Sequence, residues 1–208
     1  MVKILGLCGS PRKGATEYAV KKGLEAIAER EGVETSFMTL RGKKIAPCNG
    51  CNYCRENKSW CVIKDDMQEL LDEFIQYDAF LIGTPVYVHS ATPQIMAFFS
   101  RMRPLHHVYL NILRSKFGAA LAVGGTRNGG EESAVLTLIQ LMMTRGINIV
   151  SNEVGGYIGG KVWSQDAETF TEETDALGMQ TVITLAGKLA DISQVFKAGC
   201  SPENTPQN

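Results

Sequence analysis

Short apolar runs alternate with longer amphipathic segments along this chain, and that alternation is typical of parallel α/β architecture. The apolar runs have the length of strands, and the segments between them repeat their apolar residues at helical spacing. The predicted strands are Lys3–Cys8, Glu34–Leu40, Ala79–Thr84, Phe117–Val123 and Ile147–Val154. The predicted helices are Thr16–Glu31, Asp65–Gln76, Gln94–Met102, Glu131–Arg145 and Glu172–Val195. Five strands and five helices in this alternation predict a doubly wound sheet.

Local signals support two helix ends and a single domain. Asp65 and Asp66 suit the positive N-terminus of a helix, and Gly146 can provide a left-handed stop after Arg145. The chain shows neither an internal repeat nor a linker, so residues 1–196 are predicted to form one domain. The last eight residues, SPENTPQN, offer little to bury, and residues 197–208 are predicted to be a disordered tail.

Composition and net charge limit the classes of function that this chain can have. The chain has 208 residues, 44% of them hydrophobic, and a formal net charge of −1, so charge gives no case for nucleic acid or an anionic membrane. No apolar run is long enough to span a bilayer. An apolar strand is already under way at Val2, without a signal segment before it, so we expect a cytoplasmic protein.

Four cysteines lie within one short segment, residues 47–62, which looks like an insertion after the second strand. Cys48, Cys51, Cys54 and Cys61 follow the spacing C-x2-C-x2-C-x6-C. Three thiols at this repeated spacing reach one small inorganic body, and the fourth can close it. Structural zinc sites more often use two ligand pairs separated by a longer stretch. The segment therefore favours a [4Fe–4S] cluster, with zinc as the alternative.

Other uses of these cysteines remain open. A thiol–disulfide couple needs only two thiols, and structural disulfides belong mainly to secreted domains. A further alternative is a zinc-stabilised dimer contact with Trp60 packing across the interface. The two remaining cysteines are poor ligand candidates, because Cys8 lies in an apolar strand and Cys200 in a polar tail.

The first strand leads into a loop of small and hydroxyl residues that ends at a helix N-terminus. Its candidate anion-binding residues are Ser10, Arg12, Gly14, Ala15 and Thr16. Free N–H groups at a helix start favour a phosphate. Ala15 stands where a nucleotide triphosphatase loop has lysine, and the spacing is not that of a dinucleotide loop. A single terminal phosphate fits this loop best.

Two more loops follow the third and fourth predicted strands. Their candidate residues are Pro85, Val86, Tyr87 and Val88 in one loop, and Gly124, Gly125, Thr126 and Gly130 in the other. In a flavodoxin-like sheet of order 2-1-3-4-5, these loops and the phosphate loop share the carboxyl edge. One phosphate, a polar chain and a flat ring against backbone amides together indicate flavin mononucleotide, FMN.

These motifs jointly resemble a known family. The SPRKGAT loop, the cysteine segment followed by Asp65-Asp66-Met67, the TPVY strand end and the GGTRNGG loop are similar to the iron–sulfur flavoproteins. That family is a branch of the NAD(P)H-dependent FMN reductase superfamily, and the resemblance covers roughly residues 2 to 195. It implies a flavodoxin-like fold with FMN on the three loops and a [4Fe–4S] cluster on the four cysteines.

The resemblance also implies function and partners. It implies a homodimer or homotetramer that transfers electrons from a ferredoxin-type donor to a small acceptor such as an oxygen species. Relatives often carry lysine and aspartate where this chain has Met96 and Ser100, so an ion pair from these two helix positions is not expected. The alternative function is an NAD(P)H-dependent FMN or quinone reductase whose cysteines bind zinc or no metal.

No side chain is assigned as a catalytic acid or base. Electron transfer between two redox centres needs none, because the cofactors themselves carry the chemistry. His89, His106 and His107 are interpreted as surface or packing histidines, since none has a partner that can be identified from the sequence.

Overall fold

The computed structural model describes residues 1–153 and 157–199. Its strands are β1 (Val2–Cys8), β2 (Val33–Thr39), β3 (Ala79–Pro85), β4 (Phe117–Gly124), β5 (Asn148–Ile149) and β6 (Gly160–Trp163). Its helices are α1 (Ala15–Ala28), α2 (Tyr53–Glu56), α3 (Met67–Phe74), α4 (Pro93–Ser100), α5 (Leu105–Val108), α6 (Glu131–Met143) and α7 (Ala176–Gly199). A short 3₁₀ helix, Glu172–Asp175, precedes α7.

A parallel sheet in the order β2-β1-β3-β4-β5 forms the centre, with β6 also paired to β4. The central strands are apolar on both faces because helices cover both sides of the sheet. One apolar layer packs α3, α4 and α6 on the sheet, and the other packs α1 and α7. The predicted flavodoxin-like strand order is confirmed.

The fifth position of the sheet differs from the prediction in detail. The predicted strand Ile147–Val154 is reduced to β5, and its last residue lies outside the described residues. The unpredicted strand β6 pairs with the carboxyl half of β4 instead. A Cβ at Gly159 would stand 2.4 Å from the carbonyl oxygen of Ala120, so only glycine allows this close approach to β4. Glycines weaken a strand pattern, which explains why β6 is missed in the sequence.

The last helix extends further than its apolar pattern suggests. The region predicted as one helix, Glu172–Val195, divides into the 3₁₀ turn and α7, and α7 continues to Gly199. Residues 197–199 of the predicted tail are therefore helical, and residues 200–208 lie outside the described part of the chain. Within the described ranges, no helix combines the length and the apolar character needed to cross a membrane.

Two predicted helix ends are confirmed. Asp65 accepts a hydrogen bond from the backbone N–H of Met67, the first residue of α3, at 3.1 Å. Gly146 follows α6 with φ +78°, the left-handed stop expected there. The cysteine segment lies between β2 and α3, as predicted, and contains the single turn α2.

Candidate functional site

The three predicted cofactor loops lie at one edge of the sheet, because β1, β3 and β4 are neighbours and parallel. Backbone bonds join their ends: Gly9 N–H donates to Gly83 O at 2.8 Å, and Val86 N–H to Val123 O at 2.9 Å. The buried Thr92 hydroxyl, at the start of α4, donates to Gly9 O at 2.8 Å. The start of α4 is therefore tied to the first loop.

The phosphate loop is folded by its own serine. Ser10 Oγ accepts from Arg12 N–H at 3.1 Å and donates to Arg12 O at 2.8 Å, while the Arg12 side chain stays exposed. Helix α1 begins after Gly14, and no side chain caps it. Its first N–H groups, from Ala15 and Thr16 onward, thus form the kind of helix start that binds anions.

The second and third loops touch through a strained hairpin. Tyr87 and Ser90 pair by two 2.9 Å backbone bonds, and the turn residues Val88 and His89 have φ +49° and +56°. The His89 ring lies against Gly130, where a Cβ would stand 2.6 Å from His89 Nδ1. Gly130 also has φ +105°, so two independent constraints require glycine.

All four predicted metal ligands line one recess, which we call the cysteine recess. Cys54 is buried, Cys48 and Cys61 are partly buried, and Cys51 is exposed. The walls also include Arg101 and Arg103, which follow the end of α4. The fold thus brings the four thiols to one place beside two cations.

The end of α4 holds the cysteine segment in position. Ser100 Oγ accepts from the backbone N–H of Cys48 at 3.1 Å, and Arg103 donates to Asn52 Oδ1 at 2.5 Å. Arg101 is almost fully buried, and its guanidinium donates to Asp65 Oδ2 at 2.7 Å and Oδ1 at 3.0 Å. These contacts are charge-assisted and bidentate, the strong class of hydrogen bond.

Electrostatics in this region follow from the same contacts. Burial pushes the pKa of Asp65 up, but hydrogen bonds from Arg101 and from the N–H groups of Ala46 and Met67 outweigh it and leave that pKa below its usual range. Burial pulls the pKa of Arg101 down, but Asp65 and the charge of Cys61 outweigh it and raise that pKa.

The donor set of the recess suits a cluster. Thiolates are the ligands of iron–sulfur clusters, and neighbouring cations offset their charge. Arg101 lines this recess, and its buried Nε has no hydrogen-bond partner that meets geometric criteria among the described residues. Within residues 1–153 and 157–199, no three His, Cys, Asp or Glu side chains are arranged to hold a single metal ion.

Known proteins identify the family. Residues 2–156 match the family described as NADPH-dependent FMN reductase. A protein of Archaeoglobus fulgidus named iron-sulfur flavoprotein is 42% identical over 164 residues, which are 78% of this chain and 83% of that protein. One of the same name from Methanosarcina thermophila is 36% identical over 197 residues, covering 94% and 97%. The chain belongs to the iron–sulfur flavoproteins.

Within this family the chain is an FMN-dependent oxidoreductase, as predicted. A solved structure of a WrbA-like flavodoxin from Agrobacterium tumefaciens superposes with a TM-score of 0.66 at 14% identity, covering 94% of this chain and 99% of that one. At such low identity the superposition shows the flavodoxin-like fold alone.

The iron–sulfur flavoprotein fold also brings to the site three residues that the sequence analysis missed. Trp163 Nε1 donates to Gly125 O at 3.0 Å, and Ser164 Oγ donates to Gly124 O at 3.0 Å. A Cβ on Gly125 would lie 2.2 Å from a carboxylate oxygen of Asp166. Because β6 was not predicted, the loop after it could not be placed at this edge. An acidic residue three positions after the strand-like KVW was the available signal.

The structure also shows the surroundings of three other residues considered in the sequence analysis, His106, Trp60 and Cys8. His106 Nε2 lies 3.2 Å from Arg145 Nη1, and burial followed by the charges of Arg145 and His107 lowers the pKa of His106. Trp60 packs on Tyr109 of the same chain, with ring centroids 5.5 Å apart. Cys8 is fully buried, which raises the pKa of its thiol to about 11. Cys200 lies outside the described residues.

Proposed function

We propose that this oxidoreductase relays electrons between a [4Fe–4S] cluster and FMN. The observation that carries the proposal is the cysteine recess, which is lined by Cys48, Cys51, Cys54 and Cys61 together. Spacing alone allowed a thiol–disulfide couple, but a couple needs only two of these thiols. Four thiols around one recess, with cations in its wall, suit a ligand set for an inorganic cluster.

FMN would lie on the three loops at the edge of the sheet. The N-terminus of α1, Ser10, Arg12 and Thr16 would bind its phosphate, and the backbone of residues 85–88 and 124–130 would surround its ring. When bound, FMN supplies a centre that accepts two electrons and releases them singly. The protein contributes binding and orientation, and the glycine-rich third loop allows close approach of backbone N–H groups.

Helix α4 supports the relay, because it joins the two sites within one chain. At its start Thr92 is bonded to the phosphate-loop strand end at Gly9, and at its end Ser100 holds Cys48. Its eight residues span about 12 Å at 1.5 Å per residue. The two redox centres would therefore be held at a fixed and short separation by a rigid element.

A small acidic electron carrier of the ferredoxin type is the proposed donor. Residues 41–64 carry six basic side chains, Arg41, Lys43, Lys44, Arg55, Lys58 and Lys64, against the single acid Glu56. All six are exposed, in a chain whose net charge is −1. This concentration of positive charge around the cysteines would steer an acidic partner to the cluster. The proposed acceptor is a small molecule such as an oxygen species.

The family description favours a second candidate function. The matching family is described as NADPH-dependent FMN reductase, so direct reduction of FMN by NAD(P)H is the alternative to a protein donor. In that function the cysteines would bind zinc or no metal. A rapid loss of the visible flavin absorption on addition of NADPH alone would favour it over the relay.

We also propose that the protein forms a homo-oligomer in the cytoplasm. Leu136 and Met143 on α6 expose 46% and 62% of their surface, and a second copy of the chain could cover them. Light scattering of the FMN-loaded protein would distinguish a monomer from a dimer or a tetramer.

Anaerobic purification followed by iron, acid-labile sulfide, zinc and FMN analysis tests the proposal. We expect about four irons and four sulfides per FMN, with the broad visible absorption of a cubane. Stoichiometric zinc, or FMN without any metal, would contradict the relay and make NADPH oxidation the next assay.

A matched pair of variants makes the ligand assignment testable. Cys54→Ser should abolish iron binding and leave FMN bound, because Cys54 is the buried thiol of the recess. Cys8→Ser changes a thiol in the strand β1 and should keep the full iron content. Equal iron in both variants would rule out Cys54 as a ligand.

A further inference from the structure

The contacts of Arg101 join both ends of the cysteine segment. Its Nη1 donates to Ala46 O at 2.8 Å, and its Nη2 donates to Ile63 O at 3.2 Å. Ala46 precedes Cys48 by two residues, and Ile63 follows Cys61 by two. The guanidinium therefore spans the two chain segments that carry the first and the last cysteine.

Asp65 explains how this cation is tolerated inside the protein. Its carboxylate binds both Nη groups of Arg101, and the pair is almost wholly removed from solvent. A buried charge needs such a partner, because an uncompensated one is very costly. With Asp65 and the two carbonyl groups satisfied, all Nη contacts of Arg101 are directed to the protein.

One donor of the guanidinium stays unused. Arg101 Nε is buried and unpaired among the described residues, although Arg101 is part of the wall of the cysteine recess. An unpaired buried N–H destabilises the fold, so a donor of this kind at a binding site indicates a missing acceptor. Cys61 lines the same recess as Arg101, whose Nη2 already binds the carbonyl oxygen of Ile63, two residues after Cys61.

We propose that Arg101 is a positioning residue for the cluster, and that its Nε–H donates a hydrogen bond to the Cys61 sulfur when this thiolate binds iron. The inference rests on the proposed function. A hydrogen bond to a cluster sulfur stabilises the more negative, reduced form and makes the cluster easier to reduce. Arg101 thus sets both the position of the fourth ligand and the reduction potential.

Redox titration of the anaerobic protein, followed by electron paramagnetic resonance of the reduced cluster, tests this role. Arg101→Lys keeps the positive charge but removes the Nε–H donor, and should make the midpoint potential more negative. The expected change in the one-electron equilibrium is about tenfold, which corresponds to about 59 mV. Arg30→Lys, at an arginine bound to Asp191 and Gly187, is the matched control and should leave the potential unchanged.

Asp65→Asn separates this role from a purely structural one. It keeps Arg101 and removes the compensating negative charge, so it should make the potential more positive, opposite to Arg101→Lys. Shifts of the same sign, or an unchanged potential in Arg101→Lys at full iron content, would overturn the inference. The inference would be supported if folded, FMN-bound Arg101→Lys loses its iron while Asp65→Asn keeps it. Loss of iron in both variants would overturn the inference.

The outcome for the unaltered protein distinguishes the two proposals. If it contains no iron and sulfide, the relay fails and this inference fails with it. If it contains the cluster and only the variant potentials disagree, the relay stands and the role of Arg101 is wrong.

Discussion

Asp65 and Arg101 form a bidentate ion pair across 36 residues of sequence, with closest atoms 2.7 Å apart and side chains only 10% and 2% exposed. Asp65 also accepts the backbone N–H groups of Ala46 and Met67. One carboxylate therefore joins the start of the cysteine segment, the start of α3 and the end of α4. A pair in this environment differs from a surface salt bridge, because neither partner can return to water in the folded state.

The first prediction concerns stability. Asp65→Ala leaves the buried Arg101 charge uncompensated and should lower the free energy of unfolding by about 3–5 kcal/mol. Urea denaturation of the metal-free protein measures this change. Lys22→Ala breaks the exposed pair with Glu25 and should cost far less, because solvent screens an exposed pair. A similar small loss in both variants would contradict the importance of the buried pair.

Acid should weaken the protein partly through Asp65. Since the folded-state pKa of Asp65 lies below its unfolded value of about 3.9, its contribution is complete above that value and is lost as pH falls through the folded pKa. The unfolding free energy should therefore fall more steeply below about pH 4 in the parent protein than in Asp65→Asn. Urea midpoints measured from about pH 6 to pH 2 check this difference, and parallel curves would refute it.

Asp78 should contribute equally to the pH dependence of unfolding in the parent protein and in Asp65→Asn. Burial raises its pKa, but hydrogen bonds from Lys197 and from the N–H of Lys3 outweigh it and lower that pKa. Its acid-labile contribution has the same sign as that of Asp65. The comparison of parent and Asp65→Asn is therefore a difference measurement in which Asp78 cancels.

Gly130 should be essential for the third cofactor loop. Gly130→Ala places a Cβ 2.6 Å from the His89 ring and 3.1 Å from His89 Cα, at a φ that alanine adopts poorly. We expect FMN affinity to fall about tenfold, or about 1.4 kcal/mol, in a fluorescence titration of the FMN-free protein. Gly199→Ala, at a helical glycine with open space around it, should bind FMN normally. Unchanged affinity in Gly130→Ala would exclude this loop from the site.

Substitution of Val88, at the tip of the hairpin, should stabilise the protein. Val88 is 98% exposed and has φ +49°, a conformation that costs a residue with a side chain roughly 1–2 kcal/mol. Asparagine tolerates it, so Val88→Asn should raise the unfolding free energy of the FMN-free protein by about 1 kcal/mol in urea. Val88→Ile keeps the branched side chain and should bring no gain. Destabilisation by Val88→Asn would show that the valine side chain has a contact in solution.

The sequence alone predicted the features that depend on patterns among neighbouring residues. Alternating apolar runs and amphipathic segments predicted the strands and helices of the parallel core, and the strand ends placed Ser10, Pro85 and Gly124 at one edge. The spacing of Cys48 to Cys61 predicted that the four thiols would meet, and they line one recess. These features are local, since helix and strand periods and ligand spacing need only neighbouring residues.

Contacts between distant segments were decided by tertiary structure. The pairing of β6 with β4 depends on Gly159 and Gly160, which weaken a strand pattern yet allow close packing. No ion pair was expected from Ser100, and its neighbour Arg101 pairs with Asp65 across 36 residues. Partner choice of this kind depends on the packing of α4 against the cysteine segment, and no local propensity encodes that packing.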